Sequence, residues 1–290
     1  MLKALIKTLR IRQWTKNGFV LMALVFDLKL KNLDAVERSV VGFLVFCLLS
    51  SAVYIINDII DVEADRMHPT KRFRPIASGA LPIRIAYIEA AVLLAIVAPA
   101  AFLLSPVFFL ICLAYFLINL AYSNWLKHIP VLDVLILASG FVLRVGGGVS
   151  IIQVERFSPW LYLVMMLLAL YMGFGKRRTE LQTLSESANQ HRRVLDGYTI
   201  PFLDQLIVIV SSTTIIAYSL YTFSAPNLPD DHSMMLTIPF VVYGIFRYLY
   251  LVQVKHVGGA PEELLLTDRP LQLAVFLCGL LIFLIFYVFR

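Results

Sequence analysis

The sequence predicts an all-α polytopic membrane protein, a bundle of about nine transmembrane helices, and three observations carry that expectation. Of the 290 residues 60% are hydrophobic and only 15% charged, and the mean hydropathy is +0.81, far more apolar than a water-soluble chain of this length. Apolar stretches suited to a hydrocarbon core about 30 Å thick, which takes roughly 20 helical residues to cross, recur near 18–30, 39–57, 84–104, 106–122, 131–152, 159–175, 204–224, 234–254 and 271–289. Lys and Arg are distributed unevenly between the loops, as the third observation.

With nine spans, the N-terminal segment shares a side with the loops after spans two, four, six and eight. That side holds 19 of the 25 Lys and Arg, the opposite side holds Lys29, Lys31, Arg38, Arg156 and Arg290, and Arg144 falls within a span. The positive-inside rule places the rich side in the cytoplasm, with the N-terminus inside and the C-terminus outside a cell (inner) membrane. The net charge of +6 is explained by this anchoring, so it argues for no nucleic acid partner. Arg10, Arg12 and Lys16 run directly into the first span without the short apolar core and cleavage site of a signal peptide, so nothing is expected to be removed. Cys47, Cys112 and Cys278 are widely separated within apolar stretches and read as packing residues. His68, His128, His191, His232 and His256 show no metal-ligand spacing.

In chain order, residues 1–17 read as an amphipathic interfacial helix with Trp14 as its anchor, leading into a first span that is short. The second span ends in Y-I-I-N-D-I-I-D-V-E-A-D-R-M-H-P-T-K-R-F-R-P-I-A-S-G, residues 54–79. Asn57, Asp61 and Asp65 follow the i, i+4, i+8 spacing of one helical face, and Asp58 lies three before Asp61. Carboxylates clustered at a membrane helix end are costly unless a cation sits among them, and Mg2+, a hard ion completed by substrate phosphates, suits four such oxygen donors. The basic run Lys71, Arg72 and Arg74 reads as a phosphate clamp. The plainer alternative is a solvated helix end whose acids pair with that run. Pro69 and Pro75 stiffen the loop, Gly79 permits the turn into the third span, and His68 reads as a loop residue rather than a base.

After the fourth span, Y-S-N-W-L-K offers Tyr122 and Lys127, the first as ligand or interface aromatic and the second as a phosphate contact. The fifth span carries Asp133 and Arg144, with Arg144 expected to meet a phosphate or an acid on another helix. Gly146, Gly147 and Gly148 in the same span read as permitting close helix packing. The sixth span ends G-F-G-K-R-R-T-E-L, placing Lys176, Arg177, Arg178 and Glu180 together. The segment 184–198, with Arg192, Arg193 and Tyr198, joins spans six and seven. Loops three and seven are short and nearly free of positive charge, so function is expected on the cytoplasmic face. The organisation is that of a single domain over 1–290.

The motif N-D-x-x-D-x-x-x-D at Asn57, Asp58, Asp61 and Asp65, with its extension H-P-x-K-x-x-R-P-I-A-S-G, resembles the signature of the UbiA superfamily of intramembrane prenyltransferases, and the nine-span layout agrees along the chain. Typical aromatic prenyltransferases of that superfamily carry a second aspartate-rich motif at the end of the sixth helix, and here three cations and one acid stand in its place. A pocket with one acidic and one basic cluster can hold a metal-bound diphosphate together with further, metal-free phosphates. The pattern, with R-I-R-Q-W-T-K-N (10–17), R-R-V-L-D-G-Y-T (192–199) and P-E-E-L-L-L-T-D-R-P (261–270), resembles the branch of phosphoribosyltransferases whose donor is phosphoribosyl pyrophosphate and whose acceptor is a polyprenyl, decaprenyl-type phosphate.

That resemblance implies a Mg2+-dependent transferase feeding envelope assembly, with Asp58, Asp61 and Asp65 as catalytic residues and Asn57 completing the metal set. Substrate contacts are expected from Asn57, Lys16, Lys71, Arg72, Arg74, Tyr122, Lys127, Arg144, Lys176, Arg177, Glu180 and Tyr198. Phosphoribosyl pyrophosphate, polyprenyl phosphate and membrane lipid are the expected partners, and a homo-oligomer stays open. Two other readings remain: an aromatic prenyltransferase using a polyprenyl diphosphate, disfavoured by the missing second acidic motif, and a lipid-phosphate or ion-coupled transporter, disfavoured by the lack of an inverted repeat.

Overall fold

A computed structural model describes residues 1–152, 154, 158–186, 193–225, 228–257 and 261–289, without the side chains of 184–186, 193 and 261–263. The described residues are helical and contain no strand. Eight of the helices are long and apolar enough to cross a membrane, which makes this a multi-pass membrane protein. These are α3 (Leu33–Ile60), α5 (Ile83–Leu104), α6 (Pro106–Asn124), α7 (Leu132–Ile151), α8 (Pro159–Glu186), α9 (Ile200–Ser224), α10 (Ile238–Gln253), which reaches spanning length with the 3-10 stretch Ser233–Thr237 before it, and α12 (Arg269–Tyr287); the shorter helices are α1 (Leu2–Thr8), α2 (Met22–Phe26), α4 (Val62–Met67) and α11 (Pro261–Thr267).

The remaining predicted span, near 18–30, is not one continuous α-helix. It is built from a 3-10 stretch over Ile11–Leu21, the short α2 and a 3-10 turn at Lys29–Lys31. Its apolar run is too brief for a full α span, and buried Asn17 ties its first half to polar partners on other helices. The predicted helix over 1–17 likewise ends early: α-helix stops at Thr8, and Arg10 adopts a left-handed conformation (φ 50°, ψ 50°) that turns the chain into the 3-10 stretch.

Two compact units make up the chain. The first comprises Met1–Lys127 and Leu143–Glu155, the second His128–Val142 and Arg156–Arg290, so α7 contributes to both. In the first unit, Ala52, Ile55 and Ile59 of α3 form a buried core with Ile76, Leu81, Ala86, Ala90 and Leu93, and Ala4, Leu5 and Leu9 pack onto it. Phe46 meets Phe108 and Tyr115 edge-on at ring separations of 5.7 and 5.6 Å. The glycines of α7 serve packing: a Cβ at Gly148 would stand 2.0 Å from the Val20 carbonyl oxygen, and one at Gly147 2.8 Å from Phe46. Arg38 donates to the carbonyls of Leu104 and Ile151, closing the C-terminal ends of α5 and α7.

In the second unit α8 lies along α9, and α10 packs on α12. Tyr171 and Tyr248 stack edge-on at 5.0 Å, and the Tyr171 hydroxyl donates to the Ile245 carbonyl. Asp268 caps α12 by accepting the Leu271 N–H, while both of its oxygens are held by the Arg247 guanidinium at 3.1 and 2.8 Å.

Candidate active site

The acid motif does not continue as one helix. α3 ends at Ile60, Asp61 breaks it (φ −89°, ψ 7°), and α4 restarts at Val62. Asn57 and Asp58 therefore occupy the last turn of α3, Asp61 the junction and Asp65 the short α4. This break interrupts the expected single helix, and Asp58 and Asp65 face a common partner across it. One nitrogen of Arg74, Nη1, donates to Asp58 Oδ1 at 3.0 Å and to Asp65 Oδ2 at 2.6 Å. Arg10 donates to the same Asp58 oxygen, and its guanidinium lies over the Tyr54 ring at 4.9 Å. Lys127 donates to Asp61 Oδ1 at 2.7 Å. Asn57 is half-buried beside them.

The plainer alternative, acids paired with the basic run, thus describes Arg74. Lys71 and Arg72 are exposed, with Arg72 lying over the Phe73 ring. His68 closes the loop: its Nδ1 accepts the backbone N–H groups of Thr70 and Lys71 at 3.2 and 3.3 Å. Partial burial, with Lys71 and then Arg74 nearby, lowers its pKa against the opposing pull of Asp65, which suits the neutral, accepting ring.

Among the described residues no three His, Cys, Asp or Glu side chains stand close enough to form a metal site by themselves. The donor set nonetheless fits a hard divalent ion. A single positively charged nitrogen already sits between the Asp58 and Asp65 carboxylates, a position a small cation can take, and the missing ligands are of the kind that Mg2+ draws from phosphates and water.

Arg144 belongs to a different group. It is buried in α7, where Nε donates to Asn17 Oδ1 at 2.7 Å and Nη2 to the Tyr115 hydroxyl at 2.9 Å. Asn17 in turn donates to Ser50 and Cys47. Lys16 is half-buried in the neighbouring 3-10 turn, and Tyr122 is half-buried in the last turn of α6.

In the second unit the basic segment of α8 is drawn into ion pairs. Arg177, 2% exposed, donates from Nε to the fully buried Asp133 at 2.7 Å and from Nη1 to Glu180 at 2.6 Å. Tyr198 donates to the other Asp133 oxygen at 2.7 Å and accepts the Val131 N–H at 2.6 Å. Burial first, and then the Asp133 carboxylate, push the Tyr198 hydroxyl far above the usual phenol range, so it stays a donor. Arg178 pairs with Asp204 at 2.6 Å, and Gln253 donates to the same carboxylate. Lys176 is half-buried alongside. Arg192 and the side chain of Arg193 lie outside the described residues.

The structure thus gathers Asp58, Asp61, Asp65, Arg74 and Lys127 in the first unit, and Arg177, Glu180 and Tyr198 around Asp133 in the second. Arg10, Asn17 and Asp204 are participants that residue spacing does not reveal. Arg10 and Asn17 both lie in the R-I-R-Q-W-T-K-N stretch that carried part of the resemblance, whereas nothing in the sequence pointed to Asp204.

Residues 20–260 match the sequence profile of the UbiA prenyltransferase family. Curated relatives include the decaprenyl-phosphate phosphoribosyltransferase of Mycolicibacterium smegmatis, 36% identical over 287 residues that cover 94% of this chain and 89% of that one. The protein of the same name from Mycobacterium tuberculosis is 34% identical, covering 94% and 91%. Among solved structures, a UbiA homolog from Archaeoglobus fulgidus bound to DMAPP and Mg2+ has a TM-score of 0.73 at 20% identity, covering 98% of this chain and 99% of its own. Profile, relatives and fold agree along nearly the whole length: the chain belongs to the UbiA prenyltransferase family.

Proposed function

We propose that the chain transfers 5-phosphoribose from phosphoribosyl pyrophosphate to a polyprenyl, decaprenyl-type phosphate and releases pyrophosphate. The observation that carries this reading is the similarity to relatives of that activity by name, which extends over 94% of this chain, and the family match at residues 20–260 spans the acid motif. In this reading Asp58, Asp61 and Asp65, with Asn57 as a neutral oxygen donor, hold Mg2+. When bound, that ion supplies neutralisation of the charge that builds on the leaving pyrophosphate.

The chain's own groups do the rest. Lys127, released from Asp61, and the exposed Lys71 and Arg72 donate to phosphate oxygens that the metal leaves free. The bond from ribose C1 to the pyrophosphate oxygen breaks as C1 gains oxocarbenium character, and an oxygen of the acceptor phosphate forms the new bond from the opposite face, inverting C1. That oxygen is already anionic, so no side chain has to remove a proton. Lys176 is assigned to phosphate contact in the second unit, while Tyr198 and Asp133 hold Arg177 in place and Arg177 orients Glu180. The apolar exterior of the spans suits an acceptor that lives in the bilayer.

The chain is assigned to the cell membrane as a single domain, and the Lys and Arg asymmetry supports an N-terminus and an acid cluster on the cytoplasmic side, the segment 11–31 being counted as the ninth crossing. The test is incubation of detergent-purified protein with Mg2+, labelled phosphoribosyl pyrophosphate and polyprenyl phosphate, beside Asp61→Ala. Metal-dependent label in the lipid phase, lost in the variant, is expected. Prenylation of an aromatic acid from a polyprenyl diphosphate, with no phosphoribosyl transfer, would overturn the reading.

A further inference from the structure

Arg10 is fastened to the acid cluster by more than its own ion pair. α1 is docked through Ala4, Leu5 and Leu9 on the α3 and α5 core, and buried Thr8 donates to Glu89 of α5. Ser51 donates to the Leu9 carbonyl while the Trp14 indole N–H donates to Ser51. Between those two anchors the backbone turns left-handed at Arg10, delivering the guanidinium over Tyr54 and onto Asp58. Arg74 reaches the same oxygen from the loop that follows α4.

The layering is specific. The Asp58 and Asp65 side chains are each 3% exposed, whereas Arg10 and Arg74 are 24% and 26% exposed. The carboxylates form an inner layer and the guanidiniums an outer one, so an ion approaching the acids meets two cations first.

We propose that Arg10 and Arg74 are resident counter-cations, which keep the acid pair closed to a free divalent ion and pass to the donor's phosphate oxygens when metal and diphosphate arrive together. A lone metal ion must break three charge-assisted hydrogen bonds, Arg10 to Asp58 and Arg74 to both acids, and leaves two guanidiniums facing a new positive charge. A diphosphate reverses that cost, because its oxygens match the planar fork of a guanidinium and accept from it directly. Metal and diphosphate binding are therefore positively coupled, each raising the affinity of the other. This rests on the metal-diphosphate reading of the site, and adds Arg10 as a binding residue together with the reason the two ligands enter as a unit.

The test measures the two ligands separately on detergent-purified protein: Mn2+ alone by electron paramagnetic resonance, and radiolabelled inorganic pyrophosphate at saturating Mg2+ by equilibrium dialysis. Arg10→Gln and Arg74→Gln are each expected to bind Mn2+ alone about tenfold tighter than wild type and Mg-pyrophosphate about tenfold weaker, the scale on which one adjacent charge alters a carboxylate's affinity for a cation. Arg10→Lys keeps the charge at a less constrained geometry, and is expected to stay near wild type for Mn2+ alone, which separates the loss of a cation from damage to the fold. Unchanged Mn2+ affinity in both Gln variants, or a fall in both affinities together, overturns the proposal. Wild-type protein that binds Mn2+ but no pyrophosphate at any Mg2+ concentration overturns the diphosphate reading beneath it.

Discussion

Asp133 is wholly enclosed, and its two oxygens are divided between Arg177 Nε and the Tyr198 hydroxyl, each at 2.7 Å. A buried carboxylate of this kind depends on every partner, because the charge left behind by a missing one has no water to turn to. Replacing Arg177 with Met is expected to destabilise the protein by about 3–5 kcal/mol, and Arg177→Met with Asp133→Asn to recover part of that loss, since no fully buried charge is then left uncompensated and the part-exposed Glu180 is reached by water. Tyr198→Phe removes two hydrogen bonds, the one donated to Asp133 and the one accepted from the Val131 N–H, and should cost about 1–3 kcal/mol. Denaturation in detergent checks all three, and a double variant no better than the single one would refute the pairing. At the same scale, the lowered pKa of His68 predicts a direction. The unfolded chain takes up a proton near pH 6.5 and the folded one only at lower pH, so this residue's contribution to stability is present above 6.5 and lost as pH falls through the folded value. Titration of the His68 ring by NMR, assigned with His68→Gln, should give a pKa below 6.5; a value at or above it removes the effect.

Helices of this chain are legible in sequence where the signal is local. The stretches near 84–104 and 106–122 reappear as Ile83–Leu104 and Pro106–Asn124, because about 20 apolar residues in a row need no partner to declare a span. The helix expected over 1–17 and the span expected near 18–30 depart from the structure for the opposite reason. Their course is set by distant groups, Asn17 held by Arg144 of α7 and the Val20 carbonyl abutting Gly148, and such contacts leave no periodicity. Gly148 tests that account. A methyl group there would meet a backbone oxygen at 2.0 Å, which cannot move aside as a side-chain tip can. Gly148→Ala is therefore expected to cost about 1–3 kcal/mol or more as overpacking. Gly279→Ala on α12, where a Cβ meets nothing within 4 Å, should be neutral or stabilising by up to about 1 kcal/mol, as a glycine removed from a helix interior. Thermal midpoints in detergent decide it, and equal behaviour of the two variants would contradict the close approach.

Across the molecule, the acids of the motif were visible at once because their spacing is contained in nine residues, but their state in the folded chain was not. Arg10 lies 48 residues before Asp58 and Lys127 lies 66 after Asp61, so the cations that balance the cluster come from elements that only the fold assembles. The sequence also offered Arg177 as a phosphate ligand, since a basic run at a helix end looks solvated until Asp133, 44 residues earlier, is found against it. That internal balance has a consequence for metal removal. Three carboxylates left facing one another would make a metal-stripped protein unstable through mutual repulsion. Here Asp58, Asp61 and Asp65 each have a cation in contact, so the folded state does not need the ion. Exhaustive chelation is expected to abolish phosphoribosyl transfer while shifting the thermal midpoint by less than about 2 °C, under roughly 1 kcal/mol for a chain of this size. Adding Mg2+ alone should stabilise little, and Mg2+ with pyrophosphate more than the two separate effects combined. A large fall in the midpoint on chelation alone would show that the arginines do not replace the metal, and the charge balance would have to be sought elsewhere in the first unit.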